Sequence, residues 1–164
     1  MPASRRRSER WLGLALAWAA AAAAEEVPPW RFTLPTLDGT RFVASDTLPR
    51  PVVINFWGAE CPPCVREMPL LEHFAKQNVG WTAWLVATDA PGTARDFLAK
   101  HPVSLPVLRG GADVAGLMRA AGNRTGGLPY TVALGADGQL CFKQAGEVDT
   151  AALARMVAAC APRP

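Results

Sequence analysis

Residues 52–72 read VVINFWGAECPPCVREMPLLE, and this stretch decides the fold. Its first six residues form a nearly continuous apolar run rich in β-forming side chains, which is typical of a strand buried on both faces. Cys61 then stands where a helix would begin, because prolines such as Pro62 and Pro63 are tolerated in a first helical turn. Apolar residues recur after it at helical spacing, namely Val65, Met68, Leu71 and Phe74. The stretch therefore predicts a central strand followed by a helix that opens on a Cys-X-X-Cys pair.

Strand and helix signals alternate outward from this stretch. The expected elements are an N-terminal hairpin turning at Asp38-Gly39, a strand over 81–87, a helix over about 93–100, an extended piece over 105–108, a short helix capped by Asp113, a hairpin of 130–134 with 139–144, and a last helix capped by Asp149. Pro69 is expected to kink the helix that follows Cys61. Together these elements predict an α/β fold with a central mixed sheet flanked by helices.

The first 24 residues have the layout of a secretory signal peptide. Arg5, Arg6, Arg7 and Arg10 precede an uncharged apolar run over 11–24 that ends in small residues. This run is shorter than the roughly 20 residues that span a bilayer, which favours cleavage, and the alternative is an N-terminal anchor that is retained. In both cases we expect residues 25–164 to form one exported domain.

The charge balance of the chain argues against polyanionic partners. The chain carries 17 basic and 14 acidic residues, of which four basic and one acidic lie in 1–24, so 13 of each remain in the rest. A neutral domain without a basic cluster is not expected to bind nucleic acid or an anionic membrane surface.

The four cysteines divide into a close pair, Cys61 and Cys64, and a distant pair, Cys141 and Cys160. In an oxidising compartment an even number of cysteines is expected to pair. Cys141 begins the last predicted strand and Cys160 ends the last predicted helix, so both should lie at one end of the domain. We expect them to form a structural disulfide, and the alternative is two small buried apolar side chains.

The close pair could belong to a zinc site, a structural disulfide or a redox centre. Zinc requires four ligands, or three and a water, and no second close pair of ligands is present, so no metal is expected. The position at the start of a helix favours redox chemistry, because a helix N-terminus stabilises a thiolate. Cys61 is expected to be the exposed nucleophile and Cys64, one turn inward, the resolving thiol.

The segment 52–72 closely resembles the active-site segment of the TlpA/ResA-like branch of the thioredoxin superfamily, bacterial proteins that work outside the cytoplasmic membrane. GLPYTVALGADGQL at 127–140 is similar to that branch's cis-proline loop and hairpin, and residues 88–122 resemble its central insertion. The resemblance implies a thioredoxin-like fold with an N-terminal hairpin and that insertion.

The resemblance also implies roles for single residues. Pro129 would be the cis-proline facing the cysteines and the Leu128 backbone would pair with an extended substrate, the alternative being an ordinary turn proline. Glu67 would accept the proton of Cys64, the alternative being a solvated helix glutamate. Asn55 stands where ordinary thioredoxins have a buried aspartate. Substrate contacts are expected at Trp57, Pro62, Pro63, Leu128 and Pro129.

The residues around Cys61 predict a reducing rather than a strongly oxidising pair. Pro62 and Pro63 have no N–H, so Cys64 alone can donate to the Cys61 sulfur from this turn. Glu60 adds a negative charge where the family usually has an aromatic residue, and that charge disfavours the thiolate. We therefore expect a reduction potential nearer the thioredoxin value of about −270 mV than the DsbA value of about −120 mV.

The resemblance implies a reductase that needs no cofactor beyond the Cys61–Cys64 disulfide. Its electrons would come from a membrane thiol transporter of the DsbD/CcdA type and pass to oxidised cysteines of other proteins, with cytochrome c maturation as a candidate pathway. The location would be the periplasm or the outer face of the bacterial cytoplasmic membrane. A peroxiredoxin is disfavoured, because Gly58 stands where that chemistry needs threonine. The remaining alternative is a copper-binding, metallochaperone-like module without redox turnover.

Overall fold

The structure, a computed structural model, describes residues 29–162; the predicted leader lies outside them. The strands are β1 (Thr33–Pro35), β2 (Phe42–Ala44), β3 (Val52–Trp57), β4 (Thr82–Ala87), β5 (Val107–Arg109), β6 (Tyr130–Leu134) and β7 (Leu140–Ala145). The helices are α1 (Pro62–Gln77), α2 (Pro91–Lys100), α3 (Val114–Ala120) and α4 (Thr150–Ala159), with a 3₁₀ turn at Ser45–Thr47.

The main sheet has five strands in the order β5-β4-β3-β6-β7. Strands β3, β4 and β5 are parallel, β6 runs antiparallel to β3, and β7 runs antiparallel to β6 and so in the direction of β3. Strands β1 and β2 form a separate antiparallel hairpin. The predicted central mixed sheet is confirmed, and β3 is its middle strand. The predicted insertion over 88–122 contains α2, β5 and α3, so it adds a parallel edge strand together with its connections.

Every residue of β3 is buried, as its continuous apolar pattern predicted. Its two faces belong to different cores. Val53 and Trp57 pack with residues of α1, α2 and α4, whereas Ile54 and Phe56 pack with the N-terminal segment and α3. Since successive strand side chains point to opposite faces, Asn55 lies on the same face as Val53 and Trp57, under α1.

Local signals set the ends of several helices. The Asp113 and Asp149 side chains accept hydrogen bonds from the Gly116 and Ala152 N–H groups, so both predicted N-caps are present. Helix α1 continues through Pro69, which lies on its exposed side.

Within the described part of the chain, no helix is both long and apolar enough to cross a membrane.

Cys141 in β7 and Cys160 at the end of α4 are joined by a disulfide. Cys160 is buried and Cys141 is half-buried, and the bond closes a loop with a sequence separation of 19. It holds the edge strand of the sheet to the last helix, away from the Cys61–Cys64 pair.

We predict that replacing both Cys141 and Cys160 by alanine lowers the free energy of unfolding by about 3 kcal/mol, because the unfolded chain regains the entropy of that loop. The matched control is Cys61→Ala with Cys64→Ala, whose separation of 3 gives a smaller loss, about 2 kcal/mol. Urea unfolding of the oxidised proteins measures both values. A remote pair that costs less than the close pair, or peptide mapping that finds both remote thiols free, would contradict the prediction.

Candidate active site

Cys61 and Cys64 lie just beyond the carboxyl end of β3, at the start of α1. Cys61 is the N-cap residue, and its Sγ accepts a hydrogen bond from the Cys64 N–H at 3.3 Å. The two sulfurs form a disulfide with their Cα atoms 5.3 Å apart. Cys61 is half-buried and Cys64 is fully buried. Only Cys61 is therefore open to attack on another molecule, which is the asymmetry that an exchange reaction requires.

The loop before Cys61 is tied to the end of β4. The Asp89 carboxylate accepts from the Ala59 N–H at 2.6 Å, and the Thr88 hydroxyl donates to the Trp57 carbonyl at 3.0 Å. These bonds fix the path of the chain from β3 into α1. Sequence reasoning did not single out Asp89, whose only signal was its position at the end of a predicted strand.

The Leu128–Pro129 peptide bond is cis, and it precedes β6, the strand next to β3. Leu128 is half-buried and Pro129 is buried. A Cβ atom placed on Gly58 would lie 3.3 Å from Leu128 Cδ1, so the loop that carries Leu128 lies against the segment that leads into Cys61.

The preceding turn is held by the buried Asn123. Its amide donates to the Gly127 carbonyl at 2.9 Å, and its Oδ1 accepts from the Gly126 N–H at 3.0 Å.

The placement of Trp57 corrects one expectation. Its side chain is fully buried and its ring packs 5.3 Å from that of Phe97, measured between centroids. A tryptophan at the last position of a central strand points into the core below the active-site turn, so its ring does not contact a substrate. Of the expected contact residues, Pro62 is exposed, and Pro63 and Leu128 are half-buried.

Glu67 is a buried carboxyl group one helical turn beyond Cys64, with 1% of its surface exposed. Its Oε1 accepts from the Asn55 amide at 2.6 Å, and its Oε2 accepts from the Val148 N–H at 2.8 Å. Burial raises the pKa of Glu67 to about 7, and the two hydrogen bonds oppose that rise. A carboxyl group that titrates near neutral pH can both take and return a proton.

The turn between β7 and α4 connects both halves of this site. Its Val148 N–H binds Glu67, and its Gly146 N–H donates to the Pro129 carbonyl at 2.9 Å. Beside it, Glu147 and Arg66 form an exposed ion pair with a shortest N–O distance of 2.6 Å. Neither Val148 nor Glu147 was singled out from the sequence, because a backbone donor has no sequence signature.

Several residues lie away from this site. Cys141 and Cys160 are paired elsewhere, and both His73 and His101 are exposed. Glu60 is exposed beside Cys61. Among residues 29–162, no three histidine, cysteine, aspartate or glutamate side chains are grouped closely enough to hold a metal ion.

A sequence profile of the Redoxin family matches residues 22–159. The chain belongs to the Redoxin family. The chain is 27% identical over 120 residues to the thiol-disulfide oxidoreductase ResA of Bacillus cereus, and the match covers 71% of this chain and 66% of the relative. Other relatives named ResA match over less than half of their length. These matches confirm the TlpA/ResA-like resemblance.

Solved structures confirm the thioredoxin-like fold of this Redoxin family member. A thiol:disulfide interchange protein of the thioredoxin family from Chlorobium tepidum aligns with a TM-score of 0.66 at 24% identity, covering 85% of this chain and 99% of that one. A secreted disulfide oxidoreductase of Mycobacterium tuberculosis aligns with a TM-score of 0.60 at 28% identity, covering 78% and 95%.

We predict that ionisation of Glu67 destabilises the folded protein. Its pKa is about 7 when folded against an ordinary value of 4.5, so between these values the folded state keeps a proton that the unfolded state has lost. Stability therefore falls as pH rises through this window, by about 3 kcal/mol in total. Glu67→Gln removes the ionisation, so from pH 5 to about pH 8 its stability relative to the parent should rise by about 2.5 kcal/mol, the part of the total that falls within this range.

Urea unfolding of the oxidised proteins at several pH values measures this difference, and Glu72→Gln is the control. Glu72 lies on the same helix, but hydrogen bonding to Ser104 lowers the pKa of its carboxyl. Its contribution to stability therefore changes only below its ordinary pKa, and the control should stay flat over the tested range. A flat Glu67→Gln series would contradict the prediction.

Proposed function

We propose that this protein is an exported thiol–disulfide oxidoreductase that reduces disulfides in other proteins. The observation that carries the proposal is the Cys61–Cys64 disulfide at the N-terminus of α1, in which Cys61 is half-buried and Cys64 fully buried. The name of the ResA relative supports the same activity.

In the proposed reaction the reduced dithiol supplies two electrons. The Cys61 thiolate attacks one sulfur of a substrate disulfide, forming a mixed disulfide and releasing the first substrate thiolate. Glu67 then takes the proton of Cys64, and the Cys64 thiolate attacks Cys61 Sγ. The second substrate thiolate leaves, the Cys61–Cys64 disulfide forms, and Glu67 holds the proton until the pair is re-reduced, when it returns the proton to the Cys64 thiolate.

The accessible residues beside Cys61 suit an extended protein segment. Pro62 and Pro63 follow Cys61 directly, and Leu128 lies in the loop that packs against Gly58, so these residues offer apolar surface next to the charged Glu60. We infer that a substrate strand lies along the Leu128 backbone, adding main-chain hydrogen bonds as in strand addition. Pro129 lies beneath this loop and supports it, and Trp57 supports the turn from below.

Reduction is the proposed direction because few groups stabilise the Cys61 thiolate. The Cys64 N–H is its donor within the first turn, since Pro62 and Pro63 have none. Glu60 places a negative charge beside it. A thiolate that is weakly stabilised makes the reduced form a better electron donor, although the helix dipole acts in the opposite sense.

The proposed location is the periplasm or the outer face of a bacterial cytoplasmic membrane. The arginine-rich and apolar layout of residues 1–24 supports export, as does similarity to a secreted disulfide oxidoreductase. A reductase in an oxidising compartment must be re-reduced, so we infer a membrane thiol transporter of the DsbD/CcdA type as its electron donor. Cysteines of a maturing cytochrome c are the proposed substrate class.

We predict different behaviour from the two active-site cysteine variants. Cys61→Ser should abolish insulin-disulfide reduction, because the exposed nucleophile is lost. Cys64→Ser should retain the first attack and accumulate mixed disulfides, because no thiol resolves them. Non-reducing gels and intact mass after exposure to a peptide disulfide distinguish the two, and equal accumulation in both variants would contradict the assignment.

We also predict a reduction potential nearer about −270 mV than about −120 mV for the Cys61–Cys64 pair. Equilibration against glutathione and dithiothreitol buffers measures it directly. The variant Cys141→Ala with Cys160→Ala serves as the control, because it isolates the active-site couple from the second disulfide. A reduction potential near about −120 mV would instead favour oxidation of substrate thiols and contradict the proposed direction.

A further inference from the structure

Three polar side chains lie together in the core beneath the active site. Asn55 on β3, Glu67 on α1 and Thr131 on β6 are each at most 1% exposed, and they are surrounded by the apolar cluster that contains Cys64. Asn55 and Thr131 are paired residues on neighbouring strands. Buried polar groups at this depth must bind one another, because water does not reach them.

The hydrogen bonds of this triad suit an ionised Glu67. The Asn55 Nδ2 group donates to Glu67 Oε1 at 2.6 Å and to Thr131 Oγ1 at 2.9 Å. Glu67 Oε2 accepts from the Val148 N–H at 2.8 Å. Each carboxylate oxygen therefore faces an N–H donor, which is the arrangement that a negative charge needs.

The same arrangement does not suit the protonated form that the proposed reaction requires. A proton on Oε2 directed at Val148 would meet a backbone N–H that cannot turn. A proton on Oε1 directed at Asn55 would meet the Nδ2 hydrogens. Asn55 can remove the second conflict, because its amide presents an acceptor in place of a donor when it rotates by half a turn.

We propose that Asn55 is a positioning residue for the proposed disulfide exchange. Its side-chain amide rotates by half a turn, exchanging the places of Oδ1 and Nδ2, each time Glu67 gains or loses a proton. With Glu67 ionised, Nδ2 donates to both Glu67 and Thr131. With Glu67 protonated, Oδ1 accepts from the Glu67 hydroxyl and from the Thr131 hydroxyl. The inference rests on the proposed function, which supplies the proton from Cys64.

The residue types at positions 55 and 131 suit a rotating amide. A threonine hydroxyl both donates and accepts, so Thr131 can bind either face of the amide. An aspartate at position 55 would place a second carboxyl group against Glu67, and two carboxylates at this distance do not both ionise. An apolar residue there would leave the Glu67 Oε1 atom without its donor.

One unsatisfied atom shows how the two states are balanced. Within the described part of the chain, Asn55 Oδ1 is buried and has no hydrogen-bond partner. After the turn, Nδ2 would occupy that place. A buried N–H without a partner is rarer in proteins than an under-satisfied carbonyl, so this difference favours the ionised state and opposes the effect of burial.

The charged and titratable groups around Glu67 are few. Glu147 on the β7–α4 turn acts through its charge to raise the pKa of Glu67. Arg66 on α1 pairs with Glu147 and so offsets that charge at the surface. Cys64 lies one helical turn before Glu67 on α1 and titrates only when the disulfide is reduced, and the contacts from β3 and β6 are the neutral Asn55 and Thr131.

The orientation of the amide can be observed by NMR on protein labelled with ¹⁵N-asparagine and ¹³C-glutamate. The Glu67 carboxyl shift reports its titration, and nuclear Overhauser effects report whether the Asn55 amide protons lie beside Thr131. We expect these contacts at about pH 9 and their loss at about pH 5, with the same midpoint as Glu67. Contacts that persist while Glu67 titrates would overturn the proposal.

Glu67→Gln is the matched control. Its Oε1 must accept from the fixed Val148 N–H, so its amide group faces Asn55 as a permanent donor. Asn55 should then present Oδ1 at every pH, and the contacts to Thr131 should be absent throughout. Contacts that remain in this variant would contradict the proposed orientation of the acid form.

Asn55→Asp provides a kinetic readout. A second carboxyl group should move the Glu67-dependent limb of the pH–rate profile for insulin reduction upward by at least about one pH unit, giving about tenfold slower turnover near pH 7. A lower rate without a shifted limb indicates a merely structural role and overturns the proposal. If the parent protein turns its amide but reduces no disulfide at any pH, the proposed function fails and the positioning of Glu67 by Asn55 stands.

Discussion

The burial of one carboxyl group, that of Glu67, is the constraint on which the rest of the site depends. A carboxyl group in an apolar core needs donors, and here they come from β3 and from the turn before α4. The same turn binds the Pro129 carbonyl. The hydrogen bonds of Glu67 and of this turn therefore connect α1, the central strand and the cis-proline loop. These are the parts of the fold that lie around the cysteines.

The cysteine pair combines opposing influences in one helical turn. The helix N-terminus favours a thiolate at Cys61, whereas the two prolines remove donors and Glu60 adds negative charge. The second thiol lies in the core, where Glu67 is its buried neighbour one turn along α1. The site thus separates a half-buried cysteine from a fully buried one, whose neighbour one turn along the helix is a buried carboxyl group.

Much of the fold could be predicted from local patterns. The apolar run at 52–57 gave the central strand, and Asp113 and Asp149 gave two helix starts, because burial on both faces and N-capping are read from a few neighbouring residues. Trp57 shows the limit. A tryptophan beside an active-site turn is a reasonable candidate for substrate contact. Only the orientation of the strand in the folded sheet shows that this side chain points into the core.

The sequence by itself determined that Cys61 and Cys64 open a helix after a buried strand, since spacing and proline positions are local properties of the chain. It did not determine what surrounds Glu67. Its donors lie 12 and 81 residues away in sequence, and one of them is the backbone N–H of Val148, which every residue except proline carries. Whether that glutamate is solvated or titrates near neutral pH was decided by the packing of the sheet against α1, because burial is a property of the assembled core.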